Sequence, residues 1–152
     1  MINAFRSESA RNLVQNEELM SERVPAIRVL LLPKDTNAYG TIFGGVILSN
    51  IDLASAVEAR KLAPHRYVTK AMHEVEFHEP VYVGDLVDFY TETIRVGRTS
   101  VTVKVSVEAE RWGRAPSASH GERVKVTEAE VVLVAVNELG RPIPIRPETP
   151  TA

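Results

Sequence analysis

Two short stretches of this chain bring together residue types able to run hydrolytic chemistry. The first is Asp35-Thr36-Asn37-Ala38-Tyr39-Gly40, followed by Phe43-Gly44-Gly45, and the second is Asp52. Gly44 and Gly45 open an Ala-, Leu- and Ile-rich segment, so their backbone N–H groups stand at a helix N-terminus. There, orphan donors and the helix dipole favour an anionic oxygen. A carbonyl that becomes an oxyanion during acyl transfer fits such a place. Asp52 lies at the edge of the helix's apolar stripe, where a carboxylate is partly desolvated. Simpler roles stand beside these. Asp35 and Asn37 are typical turn formers whose side chains bond nearby backbone, and Gly44-Gly45 serves equally to let loop and helix approach closely. Asp52 also reads as an ordinary exposed helix residue. Glu58 is its rival, nearer the middle of the stripe but further from the helix start, and reads as paired or snorkelling near the end of a sheet.

The composition closes several other routes. The chain has 152 residues, 44% hydrophobic and 25% charged, a formal net charge of -2 and no cysteine. Thiol nucleophiles, disulfides, iron–sulfur clusters and thiolate zinc sites are thereby excluded. His65, His73, His78 and His120 are spread too widely to make a metal site by spacing, so no metal is expected. The near-neutral balance argues against a nucleic-acid surface, which draws its affinity from clustered Lys and Arg. The longest apolar run, Val131 to Val136, is far too short to span a bilayer. Met1 to Met20 mixes charges into single apolar residues, unlike a secretory signal. A cytoplasmic protein with no membrane partner is the expectation.

Positioning these residues requires one helix and a series of strands. Val46 to Leu62, stopped by Pro64, carries Ile47, Leu48, Ile51, Ala54, Ser55, Ala59 and Leu62 on one stripe. Strands are predicted at Ala26–Leu32, Tyr67–Phe77, Leu86–Val96, Thr99–Trp112 and Val124–Val136. The fourth is the clearest, with Val101, Val103, Val105, Val107 and Ala109 alternating with polar residues. Gly97-Arg98 reads as a two-residue hairpin turn, and Gly113–Gly121 as a loop. The domain organisation is an N-terminal extension (1–22), one α+β domain (23–141) and a Pro-rich C-terminal tail (142–152). Strands this long around a single helix leave a second sheet face and free edges, which predicts a homo-oligomer, at least a dimer.

The stretch Leu32-Pro33-Lys34-Asp35-Thr36-Asn37-Ala38-Tyr39-Gly40-Thr41-Ile42-Phe43-Gly44-Gly45, with Leu48 and Asp52, resembles the signature of the hotdog-fold acyl-CoA thioesterases, the bacterial short-chain acyl-CoA hydrolases in particular. The likeness continues through Tyr67-Val68-Thr69, Phe77-His78-Glu79-Pro80-Val81, Val83-Gly84-Asp85, Val96-Gly97-Arg98-Thr99-Ser100 and Gly121-Glu122-Arg123, covering about Val29 to Arg141. It implies a hotdog fold, one long central helix wrapped by an antiparallel sheet of about five to six strands. It also implies hydrolysis of acyl-CoA to free acid and coenzyme A, with no cofactor beyond the coenzyme A of substrate and product. By the resemblance Asp52 activates water or attacks directly, Asn37 completes the site from another subunit, and Gly45 supplies the oxyanion N–H with Gly44 beside it. Dimers assembling into hexamers, as trimers of dimers, are implied as well. Asp35 receives no catalytic role. For coenzyme A the resemblance points to Ala71, Met72 and His73 and to Arg98, Thr99 and Ser100. Arg98 beside two hydroxyls offers donors to phosphate, although a solvated hairpin tip has the same appearance. Arg123 and Lys125 share one strand face and either add positive charge to such a site or maintain solubility. A hydratase would want a His in the loop after Asp35, and none occurs before His65. A non-catalytic acyl-CoA-binding protein remains the other alternative, and it has no need of Asp52.

Overall fold

The computed structural model describes residues 23–112 and 119–147. Its elements run β1 (Ile27–Leu30), a 3-10 turn (Pro33–Asp35), α1 (Gly44–Leu62), β2 (Arg66–Phe77), β3 (Leu86–Val96), β4 (Ser100–Glu110) and β5 (Arg123–Val136). The strands form one antiparallel sheet in the order β1-β3-β4-β5-β2. α1 lies across one face of it and contacts β2, β3, β4 and β5. This is the hotdog arrangement that the sequence resemblance implied, with five strands among the described residues.

Periodicity explains the packing. Ile47, Ile51, Ala54, Ser55 and Ala59 are the buried residues of α1, five of the seven stripe positions, and Leu48 and Leu62 pack partly against the same core. Opposite them stand the odd-numbered residues of β4, Val101 to Ala109, all fully buried. Phe89 and Val87 on β3 and Ala129, Val131 and Leu133 on β5 continue that layer. The small Ala54 and Ala59 let the helix lie close to the sheet.

On the other face, charges are paired rather than bare. Asp88, whose side chain is completely buried, receives Arg28 and Arg123 and the Tyr90 hydroxyl. Burial alone would raise its carboxyl. The two guanidiniums outweigh that and hold it below the usual carboxylate range. Arg123 also reaches Glu108 and Glu110, and Lys125 reaches Glu128. The positive face expected from Arg123 and Lys125 is therefore neutralised by carboxylates of the neighbouring strand and of β5 itself.

Two sequence expectations need correction. The β3–β4 connection is longer than a two-residue turn: Val96 pairs with Val101, and Gly97 N–H donates to the Ser100 carbonyl at 2.7 Å. α1 begins at Gly44, so Gly44 and Gly45 open the helix as expected. The stretch expected as a tail from 142 is anchored as far as it is described. Ile143 and Ile145 donate to the Ala135 and Arg98 carbonyls, and Ile145 is buried in the core. Residues 1–22, most of the 113–121 loop and residues 148–152 lie outside the described residues.

β2 is the edge strand that matters for the site. One side pairs with β5, and its register shifts between Thr69 and Ala71 and again between His73 and Glu76. Glu74 takes a positive φ of 56° at the second shift, a backbone conformation unusual for a non-glycine residue. Its other side has no strand partner among the described residues.

Candidate active site

The loop before α1 is organised by its own polar side chains. Asp35 accepts the Leu32 N–H at 3.0 Å and the Lys34 ammonium at 2.7 Å. Those two donors hold its carboxyl below the ordinary value, Lys34 contributing most. Asn37 accepts the N–H groups of Tyr39 and Thr41 at 2.9 and 3.2 Å on Oδ1 and donates through Nδ2 to Thr41 Oγ1 at 2.8 Å. Gly40, with φ of 85°, completes the turn. Thr36 and Ile42 then close the loop as an isolated bridge, and Phe43 N–H bonds the Asp35 carbonyl at 2.8 Å. The turn-forming roles of Asp35 and Asn37 are thus both realised. One of the two Nδ2 hydrogens of Asn37 is still free to bond outward.

This loop delivers the chain to α1 with Phe43 in an extended conformation at the N-cap and no side-chain cap. Val46 N–H bonds the Phe43 carbonyl. The N–H groups of Gly44 and Gly45 have no acceptor within the helix. Two rings flank them. A Cβ built at Gly45 would stand 2.3 Å from the Phe43 ring, and one at Gly44 would stand 3.7 Å from the Phe77 ring. Both rings are about half exposed. Beside them is a cleft of about 270 Å³ lined by Ile42, Ile47, Phe77, Pro80 and Val81. Bare donors beside an apolar cleft suit a thioester carbonyl with a hydrocarbon attached.

Asp52 sits two turns further along, half-buried, and accepts a hydrogen bond from the Thr69 hydroxyl of β2. Thr69 stands in the Tyr67-Val68-Thr69 motif, to which the sequence assigns no role at the site. Its role follows from the β2–β5 register, in which Thr69 pairs with core-facing Leu133 and so faces the helix. Glu58 is held by Thr91 and Thr93 of β3 at 3.0 and 3.2 Å and by Lys61 at 3.4 Å. Those hydroxyls and the ammonium explain it as a structural carboxylate.

Within one copy the expected groups do not all converge. Asp52 is seven residues beyond Gly45, which places it about 10 Å further along the helix axis, too far for both to touch one carbonyl group. Asn37 turns its side chain into its own loop. Ala71, Met72 and His73 lie on β2 between its two register shifts, with Met72 partly buried against the core and His73 exposed. Arg98, Thr99 and Ser100 form the β3–β4 hairpin at the opposite end of the sheet from Phe77. That hairpin is tied down by Arg98 and Thr99 carbonyls accepting Ile145 and Ala135 N–H. Among the described residues no group of three or more His, Asp or Glu could hold a metal ion.

A second missed pair supports the site from below. Arg111 and Asp85 form a buried ion pair, with the Tyr82 ring 5.2 Å from the guanidinium and Glu79 at 3.9 Å. Asp85 also accepts the Tyr82 N–H at 2.9 Å, and Gly84 supplies the positive φ of that turn. The pair thereby fixes the 79–85 segment that walls the cleft.

Comparison with known proteins follows the same lines. Residues 39–113 match the Thioesterase superfamily. An uncharacterized acyl-CoA thioester hydrolase of Haemophilus influenzae is 39% identical over 130 residues, 86% of this chain and 82% of that protein. The acyl-CoA thioester hydrolase YciA of Salmonella typhimurium is 38% identical over 119 residues, 78% of this chain and 87% of that protein. Among solved structures, a hexameric hotdog fold thioesterase of Campylobacter jejuni superposes with a TM-score of 0.74 at 43% identity, covering 80% of this chain and 90% of that one. HI0827, a hexameric broad specificity acyl-coenzyme A thioesterase, superposes with a TM-score of 0.76 at 40% identity, covering 84% of each chain.

Proposed function

The chain belongs to the hotdog-fold acyl-CoA thioester hydrolases of the Thioesterase superfamily, and from that membership we propose that it hydrolyses acyl-CoA to a free carboxylic acid and coenzyme A at a site completed by two copies. The carrying observation is the placement of Asp52: a half-buried helix carboxylate oriented by Thr69, about 10 Å along the axis from bare Gly44 and Gly45 donors. A carboxylate so oriented, and donors so exposed, make a hydrolytic site once a second copy brings its own helix start toward Asp52.

In this reading the thioester oxygen accepts the Gly45 N–H, with Gly44 beside it. Those donors meet the negative charge that develops on the oxygen in the transition state. Asn37 adds its outward Nδ2 hydrogen from the same loop. Asp52, from the other copy, either takes a proton from water as the water adds to the carbonyl carbon or adds to that carbon itself. The C–S bond then breaks and coenzyme A leaves as thiolate, which takes up a proton; where Asp52 itself has added, water then hydrolyses the acyl–Asp52 anhydride, releasing the acid and restoring the carboxylate. Water, a carboxylate and amide donors suffice for these steps, so no cofactor takes part. The outer edge of the twelve-residue β2, which has no strand partner among the described residues, supplies the surface on which two copies pair. Further assembly as a trimer of dimers belongs to the same proposal, and the hexameric state of the similar structures supports the number of copies. The expected cytoplasmic location belongs to this proposal; no helix among the described residues is long and apolar enough to cross a membrane.

The test is release of free thiol from short, long and aromatic acyl-CoA esters. Turnover by the unaltered protein that falls by about 10²-fold or more in Asp52→Ala is expected. Inactivity across the whole panel, or full turnover by Asp52→Ala, would refute the reading.

A further inference from the structure

Arg98 apart, the described arginines fall into two groups by their ion pairing. Arg23, Arg28, Arg111 and Arg123 each reach one or more carboxylates. Arg60, Arg66, Arg95, Arg141 and Arg146 form no ion pair with any described residue, and four of them, Arg95 of β3 apart, belong to the end of the sheet where α1 finishes. Arg66 opens β2 opposite Val136, Arg60 lies in the last turn of α1, and Arg141 and Arg146 follow β5. A cleft of about 340 Å³ opens there, lined by Arg60, Arg66, Tyr67, Asn137, Glu138 and Gly140 among others.

We propose that this cleft binds the phosphate groups of the coenzyme A portion of the substrate, with Arg60 and Arg66 as the anchoring guanidiniums. This rests on the acyl-CoA reading above and adds to it a binding site for the nucleotide end. Two guanidiniums lining one cleft without a carboxylate bridge repel each other, and a polyanionic phosphate ester relieves that repulsion while accepting bidentate hydrogen bonds. Arg60 and Lys61 also complement the negative end of the helix dipole, but Arg66 lies on a strand, outside the helix, and that role does not account for it. Glu138 is the one carboxylate in the lining and leaves the cleft net positive. Asn137 is spent on its own turn, accepting the Leu139 and Arg141 N–H groups.

The placement agrees with the chemistry of the rest of the substrate. The β3–β4 hairpin carrying Arg98, Thr99 and Ser100 is at the same end of the sheet. Ser100 pairs with Val134, and Val134 pairs with Val68, so hairpin and cleft are separated by two strand spacings, about 10 Å. A nucleotide with phosphates at several positions can engage both. Two copies paired antiparallel about the middle of β2 place the Arg66 end of one beside the Phe77 end of the other. The cleft of one copy then neighbours the helix start of its partner.

The experiment compares acyl-CoA with the matching acyl-pantetheine, which carries the same thioester and no phosphate, in the full chain and in R60A, R66A and the double variant. Calorimetric titration with coenzyme A is run alongside. The double variant is expected to lose tenfold or more in kcat/KM on acyl-CoA through KM, to keep its kcat/KM on acyl-pantetheine within twofold, and to bind coenzyme A at least tenfold more weakly. Equal losses on both substrates, or unchanged coenzyme A affinity, would overturn the proposal while leaving hydrolysis intact. Should the unaltered protein turn over neither thioester, hydrolysis fails, and the titration alone decides the cleft.

Discussion

Gly45→Ala separates two things that happen at the start of α1, ring packing and carbonyl binding. The added Cβ would stand 2.3 Å from a Phe43 ring carbon, where ordinary contact begins at 3.4 Å, so the ring must retreat by about 1.1 Å. Forcing an aromatic side chain off its rotamer costs about 1 kcal/mol. Alanine at a helical position returns roughly 0.5–1 kcal/mol relative to glycine. The two effects nearly cancel, and Tm should move by no more than about 3 °C for a chain of this size. In a Phe43→Ala background the ring is gone and only the helical gain remains, so the same substitution should raise Tm by about 1–3 °C. Turnover behaves differently. The methyl occupies the space beside the N–H groups where the thioester oxygen must arrive, and a displacement of about 1 Å in a reacting group costs about 10²-fold in rate. Thermal unfolding and thiol release on the single and double variants measure both effects. Full turnover by Gly45→Ala, or a lower Tm in the Phe43→Ala background, would refute the reasoning.

Thr69→Val keeps the shape of β2 but removes the hydroxyl that bonds Asp52, and kcat should fall about tenfold with little change in Tm; an unchanged kcat would show that Asp52 needs no orientation from β2. Arg111→Met strands the buried Asp85 carboxylate and should cost about 3–5 kcal/mol in urea unfolding; a cost below about 1 kcal/mol would show that the pair is dispensable. Asp88→Asn should cost about 2 kcal/mol at pH 7, reduced by the partial exposure of Arg28 and Arg123. Because the folded carboxyl lies below its unfolded value, this contribution is complete above about pH 4–5 and disappears as pH falls through the folded value. Wild type and variant should therefore converge in stability in strong acid, and a difference independent of pH would contradict the assignment.

Local pattern carried much of the fold into view. The alternation from Val101 to Ala109 and the stripe from Ile47 to Leu62 each report a face by counting, because strand and helix periods are rigid. What escaped depends on contacts distant in sequence. Thr69 bonds Asp52 across 17 positions, and Arg111 meets Asp85 across 26; neither is visible until the order β5-β2 and the β3–β4 register are known. The choice between added positive charge and solubility for Arg123 and Lys125 stayed open because the partners of Arg123, Asp88, Glu108 and Glu110, lie on other strands, while Lys125 meets Glu128 three residues along its own strand. The hairpin at Gly97 was misread by length, since a Gly-Arg pair fits a two-residue turn while the actual register is set by Val96 facing Val101. For the site, Gly44, Gly45 and Asp52 were readable as types in order. Their separation of about 10 Å along one helix becomes meaningful only when α1 is seen as a single unbroken rod.

That separation leads to the measurement bearing most directly on a site shared between copies. Asp52→Ala and Asn37→Ala are each prepared as inactive proteins, dissociated, mixed in equal amounts and reassociated, and thiol release from acyl-CoA is followed. If the carboxylate of one copy works with the loop and helix start of another, half of the reassembled dimers are mixed and each carries one intact site of two. Activity should then return to about a quarter of the unaltered protein's. A mixture that stays as inactive as its components, under conditions where the unaltered protein recovers fully from the same treatment, would contradict the shared site.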